Sequence, residues 1–223
     1  MALLILSGVI LPQKGVEVLQ PSPIANIITD LVILNKTTAW ASGTLGSVMR
    51  TTDAGQSWQT LRAGEDVWLN SIAAVDLNNV WVLGQDSILT STTDGGKTWK
   101  NEKIGRIKYF SKVQFVDAQN GFVAGSAILT MDQEEAIYQL FATTDGGKTW
   151  KERNSSLGFS PQEIYFTSVN NGYAIERYDP VTGKDKLLRT TNGGKNWETV
   201  KEMSNIAISN MTFPDAKNGF VIA

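Results

Sequence analysis

Four near-identical octapeptides punctuate this chain: TTDAGQSW (Thr51–Trp58), TTDGGKTW (Thr92–Trp99), TTDGGKTW again (Thr143–Trp150) and TTNGGKNW (Thr190–Trp197). Their closing tryptophans stand 41, 51 and 47 residues apart. Self-similarity at such an interval marks a repeat architecture, in which each unit buries its apolar faces against its neighbours. A motif needed in every unit serves the scaffold before it serves any one site.

A weaker repeat precedes each box. SIAAVDLNNVWVLG (Ser71–Gly84), VQFVDAQNGFVAG (Val113–Gly125) and IYFTSVNNGYAI (Ile164–Ile175) share one plan, in which an alternating apolar run enters a polar turn and leaves as a second apolar run. DLVILNKTTAWASG (Asp30–Gly43) is a degenerate first copy and MTFPDAKNGFVIA (Met211–Ala223) a fifth. Asn-Gly between alternating apolar runs is a strong hairpin signal, because both residues tolerate positive φ. One unit thus reads as strand A, an Asn-Gly turn, strand B, a variable loop, strand C, the box, and strand D opening at the tryptophan.

Four such strands in about 40–50 residues make one propeller blade. The expected fold is all-β, a β-propeller of four-stranded antiparallel blades in one domain over residues 14–223. Complete blades are expected at about 30–62, 70–105, 112–155 and 163–202, with a partial fifth at 206–223. KGVEVLQ (Lys14–Gln20) matches the register of KNWETVK (Lys195–Lys201) and reads as an orphan closing strand D. Two arrangements fit. The favoured one is an incomplete or truncated ring, whose open edges would promote self-association; the other is a closed five-bladed ring with a three-stranded closing blade.

Composition removes most chemistry. The chain has no cysteine and no histidine, which excludes thiolate nucleophiles, Cys-ligated metals, the usual general base and the commonest metal ligand. A formal net charge of −2 gives no basic excess for nucleic acid. Residues 1–13 open with an apolar run too short to span a bilayer. That run reads as a degenerate secretory signal or as a buried strand, and it lacks a basic n-region. No other segment approaches transmembrane length. MDQEEA (131–136) lacks the alternating ligand spacing of a calcium loop, so neither a metal nor a cofactor is expected.

Within the box, the aspartate can accept backbone N–H groups that the sheet leaves unpaired, and the Thr hydroxyl can bond inside the turn. The glycines allow positive φ, and the tryptophan can cover apolar area between neighbouring blades. Asp53, Gly55 and Trp58, then Asp94, Gly96 and Trp99, then Asp145, Gly147 and Trp150, with Asn192, Gly194 and Trp197, are assigned to structure. Asn192 keeps an acceptor oxygen without the charge, which argues against a catalytic or metal-binding duty at that position.

This T-x-D-x-G-x-[TS]-W pattern resembles the Asp-box, or BNR repeat, of sialidase-type, xyloglucanase and sortilin-type propellers. FVDAQNGFVAG followed by TTDGGKTW is similar, more specifically, to the photosystem II assembly and stability factor family. That resemblance implies a propeller doing chaperone-like work on a membrane-protein intermediate in the thylakoid lumen or periplasm. It is specific for fold and says little of function, because one propeller scaffold hosts many activities.

Strand order places the Asn-Gly turns and boxes on one face and the B–C and D–A loops on the other. Binding groups are disproportionately carried by loops on a rigid scaffold. The candidate binding face comprises Trp68, Arg106, Lys108 and Tyr109, with Phe110 beside them, and Arg177 and Tyr178 from the long 176–186 insertion. Its aromatic and charged mixture suits a protein or glycan partner. A sialidase would bring an arginine triad and an Arg-Ile-Pro signature, whereas Arg106-Ile107 is followed by Lys108. A xyloglucanase-like enzyme would need facing carboxylates and a second propeller. The expectation is a non-enzymatic extracytoplasmic scaffold, with a fragment of a glycoside hydrolase propeller as the alternative.

Overall fold

A computed structural model of the chain describes residues 27–64, 66–85, 88–128, 136–154, 157–176, 184–203, 210–213 and 219–222. Residues 1–13, the proposed closing strand at 14–20, the 131–135 segment, Arg177 and Tyr178 lie outside the described residues. No helix occurs among the described residues, so none is long and apolar enough to cross a membrane.

Strand propensity and hairpin connectivity produce four antiparallel sheets of four strands each. The first orders β1 (Ile28–Ile33), β2 (Ala39–Gly43), β3 (Ser47–Thr51) and β4 (Gln59–Arg62). The second orders β5 (Leu69–Ala74), β6 (Val80–Gly84), β7 (Leu89–Thr92) and β8 (Lys100–Glu102). The third comprises β9 (Tyr109–Phe115), β10 (Gly121–Ile128), β11 (Ala136–Thr143) and β12 (Lys151–Asn154). The fourth comprises β13 (Pro161–Phe166), β14 (Gly172–Glu176), β15 (Asp185–Thr190) and β16 (Glu198–Met203). A two-stranded hairpin, β17 (Asn210–Thr212) with β18 (Phe220–Ile222), begins a fifth blade. The chain is therefore a β-propeller with four complete blades and part of another.

Two compact units divide these blades. The first takes residues 1–84 and 90–100; the second takes 85–89 and 101–223. In the first unit, Trp40, Val48 and Val32 of blade 1 meet Ile72, Val80 and Val82 of blade 2 in one apolar cluster, with Trp99 laid against it. In the second unit, Phe122, Leu140 and Ala142 of blade 3 meet Ile164, Phe166 and Leu188 of blade 4, with Trp197 against them. Ile175 of blade 4 and Met211 of the fifth hairpin form a further cluster. The apolar alternation of the strands feeds these inter-blade clusters, and β2 and β6 are buried at every residue. The outer strand β16 is exposed at every residue but Met203.

The box turns behave as their chemistry requires. In the first, Thr51 Oγ1 donates to Asp53 Oδ1 at 2.8 Å and accepts Gly55 N at 2.9 Å, while Ser57 donates its N–H to Oδ1 at 2.9 Å and its hydroxyl to Oδ2 at 2.5 Å. The second and third boxes repeat this set around Asp94 and Asp145. Positive φ falls on Ala54 and Gly55, at 62° and 85°, and on Gly95 and Gly96, at 74° and 83°. The first of each pair also ties the box to the A–B turn of its own blade: Ala54 N donates to Thr37 O, Gly95 N to Asn78 O, Gly146 N to Gln119 O and Gly193 N to Asn170 O. Close approach to the preceding blade needs the second glycine. A Cβ at Gly96 would meet Leu61 and Trp40, and one at Gly194 would overlap Leu140.

The A–B turns differ from the Asn-Gly expectation. Asp117 Oδ1 accepts Gln119 N and Asn120 N, each at 2.8 Å, and the Asn120 amide donates back to the carboxylate. Asp76 and Asn79 repeat the arrangement. The turn is therefore an Asp-x-x-Asn cap, with no positive φ at Asn120 or Gly121. Glycine serves another purpose there: a Cβ at Gly121 would lie 2.8 Å from the Phe115 ring across the strand pair, and Gly172 stands likewise at 2.7 Å from Phe166.

Candidate binding site

Three D–A linkers connect the blades, each six residues long: 63–68, 103–108 and 155–160. Their described residues pack as plugs. Ala63, Ile104, Ile107, Leu157 and Phe159 are buried around Gly64, Gly105 and Gly158. Backbone bonds seat them on the B–C end of a blade, with Ala63 N donating to Gly46 O at 3.0 Å, Lys108 N to Ser126 O at 2.8 Å and Leu157 N to Tyr138 O at 2.9 Å. Each plug sets an apolar residue before a glycine, Ala63-Gly64, Ile104-Gly105 and Leu157-Gly158, within stretches that look like variable loops.

What the linkers leave to solvent is narrow. In the first unit Trp68 is 45% exposed, and the neighbouring Arg62 is ion-paired with Asp66. In the second unit Arg106 and Lys108 are exposed, Tyr109 is 51% exposed, and the Lys108 ammonium sits 5.5 Å from the Tyr109 ring centroid. That is cation–π range. Phe110, expected beside them, is instead 4% exposed. Alternation along β9 turns it to the opposite side from Tyr109, into the interior.

A cleft of about 620 Å³ opens within the second unit, against blade 4. Lys186 and Leu188 come from β15, Thr199 from β16 and Glu176 from β14, while Leu157, Gly158 and Phe159 form the linker wall. Trp197 stands at its edge, T-shaped against Phe159 at 5.7 Å and Phe166 at 6.0 Å, with its indole N–H donating to Gly194 O at 3.1 Å. At the box end, the Asn154 amide donates to Lys195 O at 3.2 Å, closing the gap between blades 3 and 4.

The charges in the cleft are unequal. Glu176 and Lys186 face each other across β14 and β15 as an ion pair at 3.5 Å, with side chains 12% and 17% exposed. Lys195 is exposed and has no ion-pair partner among the described residues. The lining offers apolar area, a tryptophan edge, amide groups and a free cation. Apolar lining with a few polar groups is the common make-up of a ligand site; a glycosidase would need two carboxyl groups about 5–9.5 Å apart. Among the described residues no group of three or more Asp and Glu side chains could hold a metal ion.

The sequence reading assigns binding to loop residues and does not include Phe159, Lys195 or Thr199, which line this cleft. The long insertion it favoured, 176–186, does border the cleft through Glu176 and Lys186. The box carboxylates Asp53, Asp94 and Asp145 are each held inside their own turn.

Four-stranded antiparallel blades packed through apolar clusters define a β-propeller. The chain belongs to the photosynthesis system II assembly factor YCF48 family, whose model matches residues 16–107 and 108–209. Among solved structures it is similar to YCF48 from Cyanidioschyzon merolae, at 20% identity and a TM-score of 0.66, covering 90% of this chain and 65% of that one. It is similar also to YCF48 bound to D1 peptide, at 18% identity and a TM-score of 0.63, covering 86% and 58%. The chain thus spans less than two thirds of either. The GH74 xyloglucanase from Xanthomonas campestris shares the fold, at 14% identity and a TM-score of 0.59, covering 82% of this chain and 33% of the enzyme. A comparison with curated proteins finds no match.

Proposed function

We propose that this chain is a non-enzymatic, extracytoplasmic scaffold that holds a segment of a partner protein during assembly of a membrane complex. The observation that carries the reading is the cleft: about 620 Å³, walled by Phe159 and Trp197, floored by Leu188, with Lys195 unpaired at one end. Apolar lining with few oriented polar groups is the common form of a binding site. Membership of the YCF48 family and the D1 peptide held by a related structure support a peptide ligand. The first three boxes are read as Asp-box fasteners, whereas the fourth also lends Lys195, Asn196 and Trp197 to the cleft. Glu176 is already engaged by Lys186, whereas a glycosidase requires two carboxyl groups facing across the scissile bond.

The test is a peptide array covering extracytoplasmic loops and termini of membrane proteins from the source organism, probed with the purified chain. Retained peptides should be lost with Phe159→Ala and Lys195→Glu, while Trp68→Ala separates a contribution from the first unit. Turnover of aryl-glucoside or aryl-sialoside substrates, abolished by Glu176→Gln, would overturn the reading.

A further inference from the structure

The cleft has a backbone edge beside it. Strand β16 is the last strand of its sheet, and among the described residues it pairs only with β15. It runs six residues, where β4 and β12 run four and β8 three. Its ladder extends from Arg189–Glu198 to Asp185–Met203, with Val200 as an extra residue at the register shift. An outermost strand presents N–H and C=O groups on its far side without a ladder partner. Thr199 leads directly from this edge into the cleft, next to Trp197.

We propose that β16 receives an extended segment of a partner protein as a fifth strand, with alternate side chains entering the cleft. This rests on the binding reading above and names its mode and its ligand. Strand addition divides the work, since main-chain bonds supply affinity and pockets for alternate side chains supply selectivity. An apolar or aromatic side chain packs over Leu188, against the Phe159–Trp197 pair. Lys186 is already held by Glu176, so the charge that remains is Lys195, and its complement is a carboxylate near that apolar anchor. Room exists at the linker wall, because a Cβ built on Gly158 meets nothing within 4 Å.

The same strand resists indiscriminate pairing. Glu198, Lys201 and Glu202 are exposed along it, and the extra residue at Val200 distorts the edge. Charges and bulges are the devices by which edge strands avoid random association. A strand lacking the apolar anchor and the acidic residue gains too little to overcome them.

The test uses the full chain and a fluorescein-labelled acidic-apolar heptapeptide, TVTFTDT, read by anisotropy and by amide hydrogen exchange. Binding should slow exchange across residues 198–203, and N-methylation of alternate peptide amides should abolish it in one register only. Lys195→Glu should weaken binding about tenfold, the scale of a lost charge contact with reversed sign. Binding with residues 198–203 exchanging as in the free chain, and with both N-methylated series still bound, would overturn strand addition and leave the cleft as a side-chain pocket. Failure of the peptide and of a displayed heptapeptide library alike would overturn the binding reading itself.

Discussion

Gln114 grips Phe166 by its backbone at both ends of one side-chain amide. Its Nε2 donates to Phe166 O at 3.0 Å, and its Oε1 accepts Phe166 N at 2.6 Å. Strands β9 and β13 belong to different sheets, so no ladder joins them, and the carboxamide substitutes for the missing strand partner. Asp30 makes a related clasp in the first unit, accepting Ser71 Oγ at 2.9 Å and Ile72 N at 3.1 Å. The Tyr165 hydroxyl donates to Phe213 O at 3.1 Å. Side-chain bonds thus join β1 to β5 in the first unit and β9 to β13 in the second, beside the apolar clusters of each unit.

Removing that clasp should be costly. Gln114→Ala leaves both backbone groups of Phe166 unpaired in a half-buried place, a loss of about 1–3 kcal/mol. Gln114→Glu keeps an acceptor for Phe166 N–H and sets a second carboxylate oxygen against Phe166 O, so it should recover only part. Urea midpoints at constant m-value are the measurement, and a wild-type midpoint for Gln114→Ala would remove the clasp from the account.

The boxes predict an acid window. The Ser57 hydroxyl, then the Ser57 N–H and the Thr51 hydroxyl, draw Asp53 down to about 2. Thr149 and Thr143 do the same for Asp145, also to about 2, and Thr98 with Thr92 pulls Asp94 lower still. An unfolded aspartate titrates near about 3.9. Because the folded values are depressed, the boxes stabilise fully above about pH 4 and lose that contribution as pH falls toward 2. Asp53→Asn and Asp145→Asn should lower the melting temperature at pH 7 and flatten its fall between pH 4 and 2.5. A variant whose melting temperature parallels the wild type across that range would refute the link.

The Phe115–Gly121 pair predicts a compensated defect. Gly121→Ala puts a methyl group within 2.8 Å of the Phe115 ring, an overpacking cost of about 1–3 kcal/mol. Phe115→Leu alone loses the edge contact with Trp150 at 5.9 Å. Combined, the two should destabilise less than the sum of the singles, a coupling read from a double-mutant cycle. Blade 2 places Ala74 opposite Val80, which is the same exchange of bulk made in the opposite direction.

Fold class and blade count could be read from the chain because the box and the alternating runs are local signals, repeated four times. The turn chemistry was half legible. Asn120-Gly121 marked the right place, but the bonds come from Asp117 and the glycine answers to Phe115, a partner six residues away across the strand pair. The cleft was the least legible. Leu157, Phe159, Lys186 and Thr199 come from one linker and two strands, and only sheet packing brings them together. Phe110 shows the same limit: beside Tyr109 in sequence, it faces the interior.

The fourth box carries a paired departure whose two halves explain each other. Ser57, Thr98 and Thr149 each donate a hydroxyl to the second oxygen of their aspartate. The corresponding residue in the fourth box is Asn196, which has no hydroxyl, and it faces Asn192 rather than an aspartate. Asn192 Oδ1 still accepts Asn196 N at 3.0 Å and the Thr190 hydroxyl at 3.1 Å. Asn192→Asp alone therefore adds a charge whose second oxygen lacks its hydroxyl donor, and its gain should be small. Asn196→Thr alone gives a hydroxyl that can accept from the Asn192 NH2, a neutral bond weaker than one to a carboxylate. Together they restore the full bonding set, so the double variant should melt above wild type by more than the two singles combined. Strict additivity would mean that the hydroxyl and the carboxylate are not one unit.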